Sequence, residues 1–231
     1  MHSTTRWTLA VAASSLTVLG CMSGPAQREG GASQMSFFVT SVNPGKGGDL
    51  GGLAGADAHC QSLAAAAGAG KRTWRAYLST QGKELGDKGV IHARNRIGTG
   101  PWYNAKGARI AQNLDDLHSG RNNVTKETAL DERGRMVNGR TEKPNRHDIL
   151  TGSRPDGTAL PPSGRFGDMT CSNWTYGGDK GAAMLGHHDR AGPTTDAWSV
   201  SWNSAHPSIG CTPGLLAKTG GAGLLYCFAV N

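Results

Sequence analysis

Four cysteines constrain this chain more than any other residues: Cys60, Cys171, Cys211 and Cys227. They lie in the part of the chain expected to fold. An even set in an exported chain implies two disulfides. Four cysteines allow three pairings, and the residues alone leave all three open. A fifth, Cys21, ends an apolar N-terminal run and reads differently.

The N-terminus carries the expectation of export. Residues 1–6 are short with one positive charge, and residues 7–19 form an apolar stretch too short to span a bilayer comfortably. The run ends Val18-Leu19-Gly20-Cys21, which resembles the lipobox of bacterial lipoproteins. That resemblance implies cleavage before Cys21 and a diacylglycerol on its thiol. An ordinary secretory signal followed by a chance cysteine is the alternative. Met22, rather than aspartate, follows the cysteine, which in Gram-negative lipoproteins resembles the pattern sent to the outer membrane. Residues 21–34 read as a Gly/Ala/Ser-rich flexible tether. The expected organisation is a signal peptide over 1–20, a tether over 21–34 and one domain over 35–231.

Composition limits the function classes. Glycine is abundant, 35 of 231 residues, so many loops and tight turns are expected. The formal charge is +7, and loss of Arg6 leaves +6 (7 − 1). The most charged stretch, Arg121 to Asp148, mixes seven Lys/Arg with five Asp/Glu, so it reads as a solvated loop region. Export and mixed charge together argue against nucleic acid as a partner.

Hydrophobic spacing outlines the elements. Residues 35–42 read as a strand ended by Asn43-Pro44-Gly45. Leu53, Ala56, Cys60, Leu63 and Ala67 recur at helical spacing, and Gly68-Ala69-Gly70 stops that helix. Cys60 sits on the apolar face, so its disulfide should anchor the helix to the core. Residues 73–80 alternate as a strand, and residues 98–104 read as a turn with two aromatics. Residues 111–118 read as a short helix, and 128–140 as two short strands. Residues 143–167 read as loop, interrupted at 148–151. Short strands are expected around 171–175 and 182–186. The most strand-like run is 224–230, which contains Cys227.

The order of helix with a cysteine, strand, long loops and a late cysteine pair resembles the C-type lectin-like fold, and within it the endostatin domain of collagen. The matching segments are Gly55-Ala56-Asp57-Ala58-His59-Cys60, residues 73–79, Gly152-Ser153-Arg154-Pro155-Asp156-Gly157, Thr170 to Thr175, and the tail with Cys211 and Tyr226-Cys227-Phe228. The resemblance runs from about residue 36 to 231 and is weakest over 82–148. It implies an α+β fold of short twisted antiparallel strands, about two helices and long loops. It also implies nested disulfides, Cys60–Cys227 and Cys171–Cys211. A link of the first kind closes nearly the whole domain, and such a loop removes on the order of 4–5 kcal/mol of unfolded-chain entropy.

The chemistry of calcium-dependent lectins is not carried over. Lys143-Pro144-Asn145 and Trp202-Asn203-Ser204 lack the carboxylates that a hard cation needs at those motif positions. No histidine lies between Ala32 and Ala58, so endostatin's N-terminal zinc ligands are also absent. His187, His188 and Asp189, with His206 further on, form the densest titratable group. The sequence favours a hydrogen-bonded loop cluster there, because adjacent histidines on a strand face opposite ways. No cofactor is expected, and no catalytic motif is present. Trp174 reads as core. Trp198, Trp202 and Asn203, with the His187, His188, Asp189 and His206 group, form the candidate ligand surface, and Trp102-Tyr103 is a second patch. The expected function is calcium-independent recognition of an envelope or extracellular ligand, glycan or protein. An enzyme on the same fold and a structural envelope lipoprotein are the alternatives.

Overall fold

The computed structural model describes residues 1–2, 34–162 and 167–230. Cys21, the signal segment beyond residue 2 and the tether up to residue 33 lie outside the described residues. No described helix is long and apolar enough to cross a membrane.

The architecture is mixed α+β, organised on its last strand. In order along the chain come β1 (Phe37–Val39), α1 (Gly52–Ala66), β2 (Trp74–Ala76), β3 (Trp102–Tyr103), β4 (Arg109–Ala111), α2 (Leu114–Leu117), β5 (Asp148–Leu150), α3 (Cys171–Trp174), β6 (Met184–His187), β7 (His206–Pro207), α4 (Pro213–Thr219) and β8 (Gly221–Ala229). The main sheet runs β1-β8-β5-β6-β7, with β2 also paired to β8, and β3-β4 form a separate hairpin. All pairs are antiparallel except β5 with β8.

Period-2 alternation along β8 divides the core. Leu225, Cys227 and Ala229 enter one cluster with Ala56, Cys60, Phe38, Trp74, Leu150 and Trp174. Leu224, Tyr226 and Phe228 enter the other with Phe37, Tyr77, Trp102, Ile149 and Trp202. Both faces of β8 are therefore covered, which explains why its sequence is apolar without interruption.

The expected helix face is present. Ala56, Cys60 and Ala64 are buried along α1, with Leu53, Leu63 and Ala67 packed partly against them. Cys60 is bonded to Cys227 and Cys171 to Cys211. Asp57, on the same helix, accepts both Arg96 Nη2 contacts at 2.8 and 2.7 Å and the backbone N–H of Ala76 at 2.9 Å. A single carboxylate thus ties α1 to β2 and to the turn at Ala93–Asn95.

Several expectations give way to tertiary pairing. Residues 102–103 are not turn but strand, because Trp102 pairs with Ala111. The helix expected over 111–118 shortens to α2, capped by the Asn113 side chain accepting from Asp116 N–H. The strands expected over 128–140 reduce to two isolated bridges, Leu130↔Met136 and Val39↔Asp131. The strand expected at 171–175 is instead α3, a single left-handed turn with φ between 47° and 69° at its four residues. Asp168 holds that turn, accepting from Thr170 N–H at 2.9 Å and Ser172 N–H at 2.6 Å. Both α4 and β7 form where no element was expected.

Candidate functional site

Strand register gathers a group of ionisable side chains on one face of the sheet. Asp148 lies directly opposite His187 across the β5–β6 pair. His206 lies opposite Leu185, two residues from His187, and so shares its face. His147 precedes β5, where the pairing with β8 shifts register between Asp148 and Ile149. Its ring stacks on that of His187, with centroids 4.2 Å apart and planes at 14°. Three imidazole nitrogens then surround one carboxylate oxygen. Asp148 Oδ1 is 3.2 Å from His147 Nε2, 3.3 Å from His187 Nε2 and 3.5 Å from His206 Nε2.

These atoms are withdrawn from water. The side chains of His147, Asp148 and His187 are at most 4 % exposed, whereas His206 retains 28 %. The contacts are close but out of line for hydrogen bonding: both Asp148 oxygens and His187 Nε2 are buried with no hydrogen-bond partner. The other ring nitrogens are occupied. His147 Nδ1 faces Asp189 Oδ1 at 3.2 Å, His187 Nδ1 faces the Ser199 carbonyl at 2.7 Å, and His206 Nδ1 faces the Pro207 carbonyl at 3.1 Å. Each of these partners is an acceptor only, so each Nδ1 carries the hydrogen and donates it. In the neutral rings the three Nε2 atoms then carry lone pairs close to Asp148 Oδ1 but not in line with it.

Charge follows this geometry. Burial pushes the Asp148 carboxyl up, but the facing His187, His206 and His147 rings outweigh it and leave the group below the ordinary carboxylate value. Contact with Asp148 raises the His206 imidazole against the opposing effect of burial. Burial also raises Asp189, yet His147 and the N–H groups of Arg140 and Ala191 hold it well below the ordinary value.

The structure distributes the sequence candidates unevenly. His187 and His206 enter the cluster. His188, the next residue on the chain, faces away, and its Nε2 meets the Asn138 carbonyl at 3.1 Å. Asp189 supports His147 from behind. Trp202 is core: it packs on Tyr77 and Tyr226 with centroids 4.9 and 5.2 Å away, leaving no face for a sugar ring. Asn203 is also buried, its amide donating to Tyr77 Oη at 2.9 Å and to the carbonyls of Arg154 and Pro155. Trp102 is buried against Phe228, while Tyr103 lines an open cleft of about 480 Å³ with Arg72 and Pro101. Trp174 is core, as its sequence setting suggested, and donates Nε1–H to the Ser79 carbonyl. Trp198 alone among the candidate tryptophans is exposed, at 47 %.

Sequence reasoning missed His147 and Asp148. Residues 148–151 read only as an interruption of a long loop, and His147 lay in that loop. The one available signal was a histidine–aspartate pair at the start of an apolar β-branched run. The donor atoms of His147, Asp148 and His187 all lie within 4.8 Å of one another, a set able to hold a metal ion. Two neutral imidazoles and a carboxylate are ligands suited to borderline transition metals rather than to calcium. No protein-family model matches the chain, and no curated protein matches its sequence.

Proposed function

We propose that this protein is an exported, lipid-anchored binding protein of the C-type lectin-like, endostatin-like class. It recognises an envelope or extracellular ligand, glycan or protein, without calcium and without catalysis. The two disulfides join the pairs that the resemblance implies, and the mixed α+β frame with long loops is compatible with it. Cys21 supplies the lipid anchor in this reading.

One observation carries the proposal: Trp198 is exposed on a loop that is otherwise fixed from beneath. His187 N–H donates to the Ser201 carbonyl, and Thr194 N–H donates to the Ser199 hydroxyl. Arg140 reaches the Gly192 carbonyl at 2.8 Å. Gly186 makes the close approach possible, since a Cβ there would lie 1.9 Å from the Trp202 carbonyl oxygen. A rigid loop that presents an indole to solvent offers a flat apolar face at low ordering cost, which suits a sugar ring or a partner side chain. A glycan array probed with the full chain and with Trp198→Ala tests this. Loss of binding in the variant is expected. Binding unchanged in Trp198→Ala removes that residue from the site, and no binding by the unaltered chain to glycans or envelope proteins favours a purely structural lipoprotein.

A further inference from the structure

We propose that His147, Asp148 and His187 form a site for one divalent transition-metal ion of the zinc class, with His206 closing on it as the fourth ligand. This inference does not depend on the binding function above.

Three observations carry it. The first is the arrangement of polarity. All three Nδ1 atoms donate to acceptor-only groups, so the neutral rings leave three Nε2 lone pairs within 3.5 Å of one carboxylate oxygen. Four acceptors facing one another in a buried space repel unless a cation lies between them. A proton on one ring would serve one of the three contacts and leave the others acceptor to acceptor. Protons on both stacked rings would bring two positive charges to a ring separation of 4.2 Å. The absence of any in-line hydrogen bond at Asp148 Oδ1, Asp148 Oδ2 or His187 Nε2 also argues against a proton-bonded cluster.

The second observation is spacing. Zinc holds imidazole nitrogen and carboxylate oxygen about 2.0–2.1 Å away in a tetrahedron, whose edges are then about 3.3–3.4 Å. The three nitrogen-to-oxygen separations are 3.2, 3.3 and 3.5 Å, and the donor atoms of His147, Asp148 and His187 lie within 4.8 Å of one another; the shell closes when the stacked His147 and His187 rings turn toward the ion and His206 moves in. Three nitrogens and one oxygen fall short of the oxygen-rich shell that calcium or magnesium takes.

The third is the surrounding shell. A ligating histidine ordinarily donates its second N–H to a carboxylate or a backbone carbonyl, which fixes the tautomer. Here His147 has Asp189, and His187 and His206 have the carbonyls of Ser199 and Pro207. Asp148 and Asp189 together balance a 2+ ion. His206, on β7 and partly exposed, is the ligand beside which an ion enters. With His206 in the fourth position, the site is a structural one that clamps β5, β6 and β7 together.

The test uses the purified full chain, stripped with a chelator and titrated with zinc by calorimetry, then loaded with cobalt for its visible spectrum. One equivalent of zinc and a four-coordinate cobalt spectrum are expected. His206→Ala, at a partly exposed edge, should keep the native circular dichroism and weaken zinc at least about tenfold. Asp189→Asn leaves every ligand in place and should weaken zinc about 10–100-fold. Failure of the unaltered chain to bind an equivalent of zinc overturns the proposal. So does binding that is unchanged in both Asp148→Asn and His206→Ala, which would put the ion on other histidines. A glycan or protein ligand binds or fails to bind irrespective of these readouts.

Discussion

Tyr77 stands in the middle of a chain of hydrogen bonds that runs through the second core cluster. The Asn203 amide donates to Tyr77 Oη, Tyr77 O–H meets His118 Nε2 at 2.8 Å, and His118 Nδ1 meets the Leu114 carbonyl at 2.7 Å. The carbonyl can only accept, so His118 Nδ1 carries the hydrogen and Nε2 accepts from tyrosine. Burial pushes the Tyr77 phenol up and holds it neutral. Burial likewise lowers the His118 imidazole from 6.5, with Arg94 adding to this and the Leu114 carbonyl, Asp156 and Asp115 opposing it. A group lowered on folding binds its proton first in the unfolded chain. The stability tied to His118 is therefore fully present above pH 6.5 and is lost as pH falls from there through the lower folded value. Denaturant midpoints on either side of pH 6.5 should show a steeper acid-side loss in the native chain than in His118→Gln, by up to about 1.4 kcal/mol per pH unit. Equal slopes would show that the ring does not titrate differently on folding.

Among the elements, the left-handed turn α3 departs furthest from its sequence signal. Thr170 to Thr175 has the β-branched and aromatic content of a strand. Instead, the Cys171–Cys211 bond, the Asp168 carboxylate and the burial of Trp174 hold four consecutive residues at positive φ. That conformation costs an L-residue roughly 1–2 kcal/mol, and tertiary contacts offset the cost. Ser172 is exposed, and its backbone N–H makes the essential bond to Asp168. Ser172→Gly should therefore stabilise the fold by about 0.5–1 kcal/mol, after allowance for the entropy of glycine in the unfolded chain. Urea unfolding measures this, and a lower midpoint would mean that the serine hydroxyl matters more than the backbone. Other elements were legible locally. The α1 face needed only helical spacing. β3 and β7, two residues each, carry too little pattern to be seen without the strands they pair with.

Across the whole molecule, the two disulfides constrain very different lengths of chain. Cys60–Cys227 spans 167 residues and Cys171–Cys211 spans 40. In the loop-entropy model these remove about 5 and about 4 kcal/mol of unfolded-state freedom. All four cysteines are fully buried, so alanine rather than serine is the suitable replacement. The Cys60→Ala/Cys227→Ala pair should lose more stability in guanidinium unfolding than Cys171→Ala/Cys211→Ala. The reverse order would indicate that α3 and its neighbours depend on their disulfide for native packing, beyond its effect on the unfolded chain.

The sequence by itself determined what depends on local spacing and counting. An even set of cysteines meant two bonds, a helical repeat placed Cys60 inward, and the apolar run 224–230 marked the last strand. The tertiary structure alone decided the ionisable centre. His147, Asp148, His187 and His206 come from three separated segments, and their meeting depends on strand register. A slip of one residue would turn Asp148 and His187 to opposite faces. Nothing in the spacing of the four residues along the chain encodes that register. It is set by the packing of Ile149, Leu150 and Leu185 in the core, and by the shift in pairing where β5 meets β8.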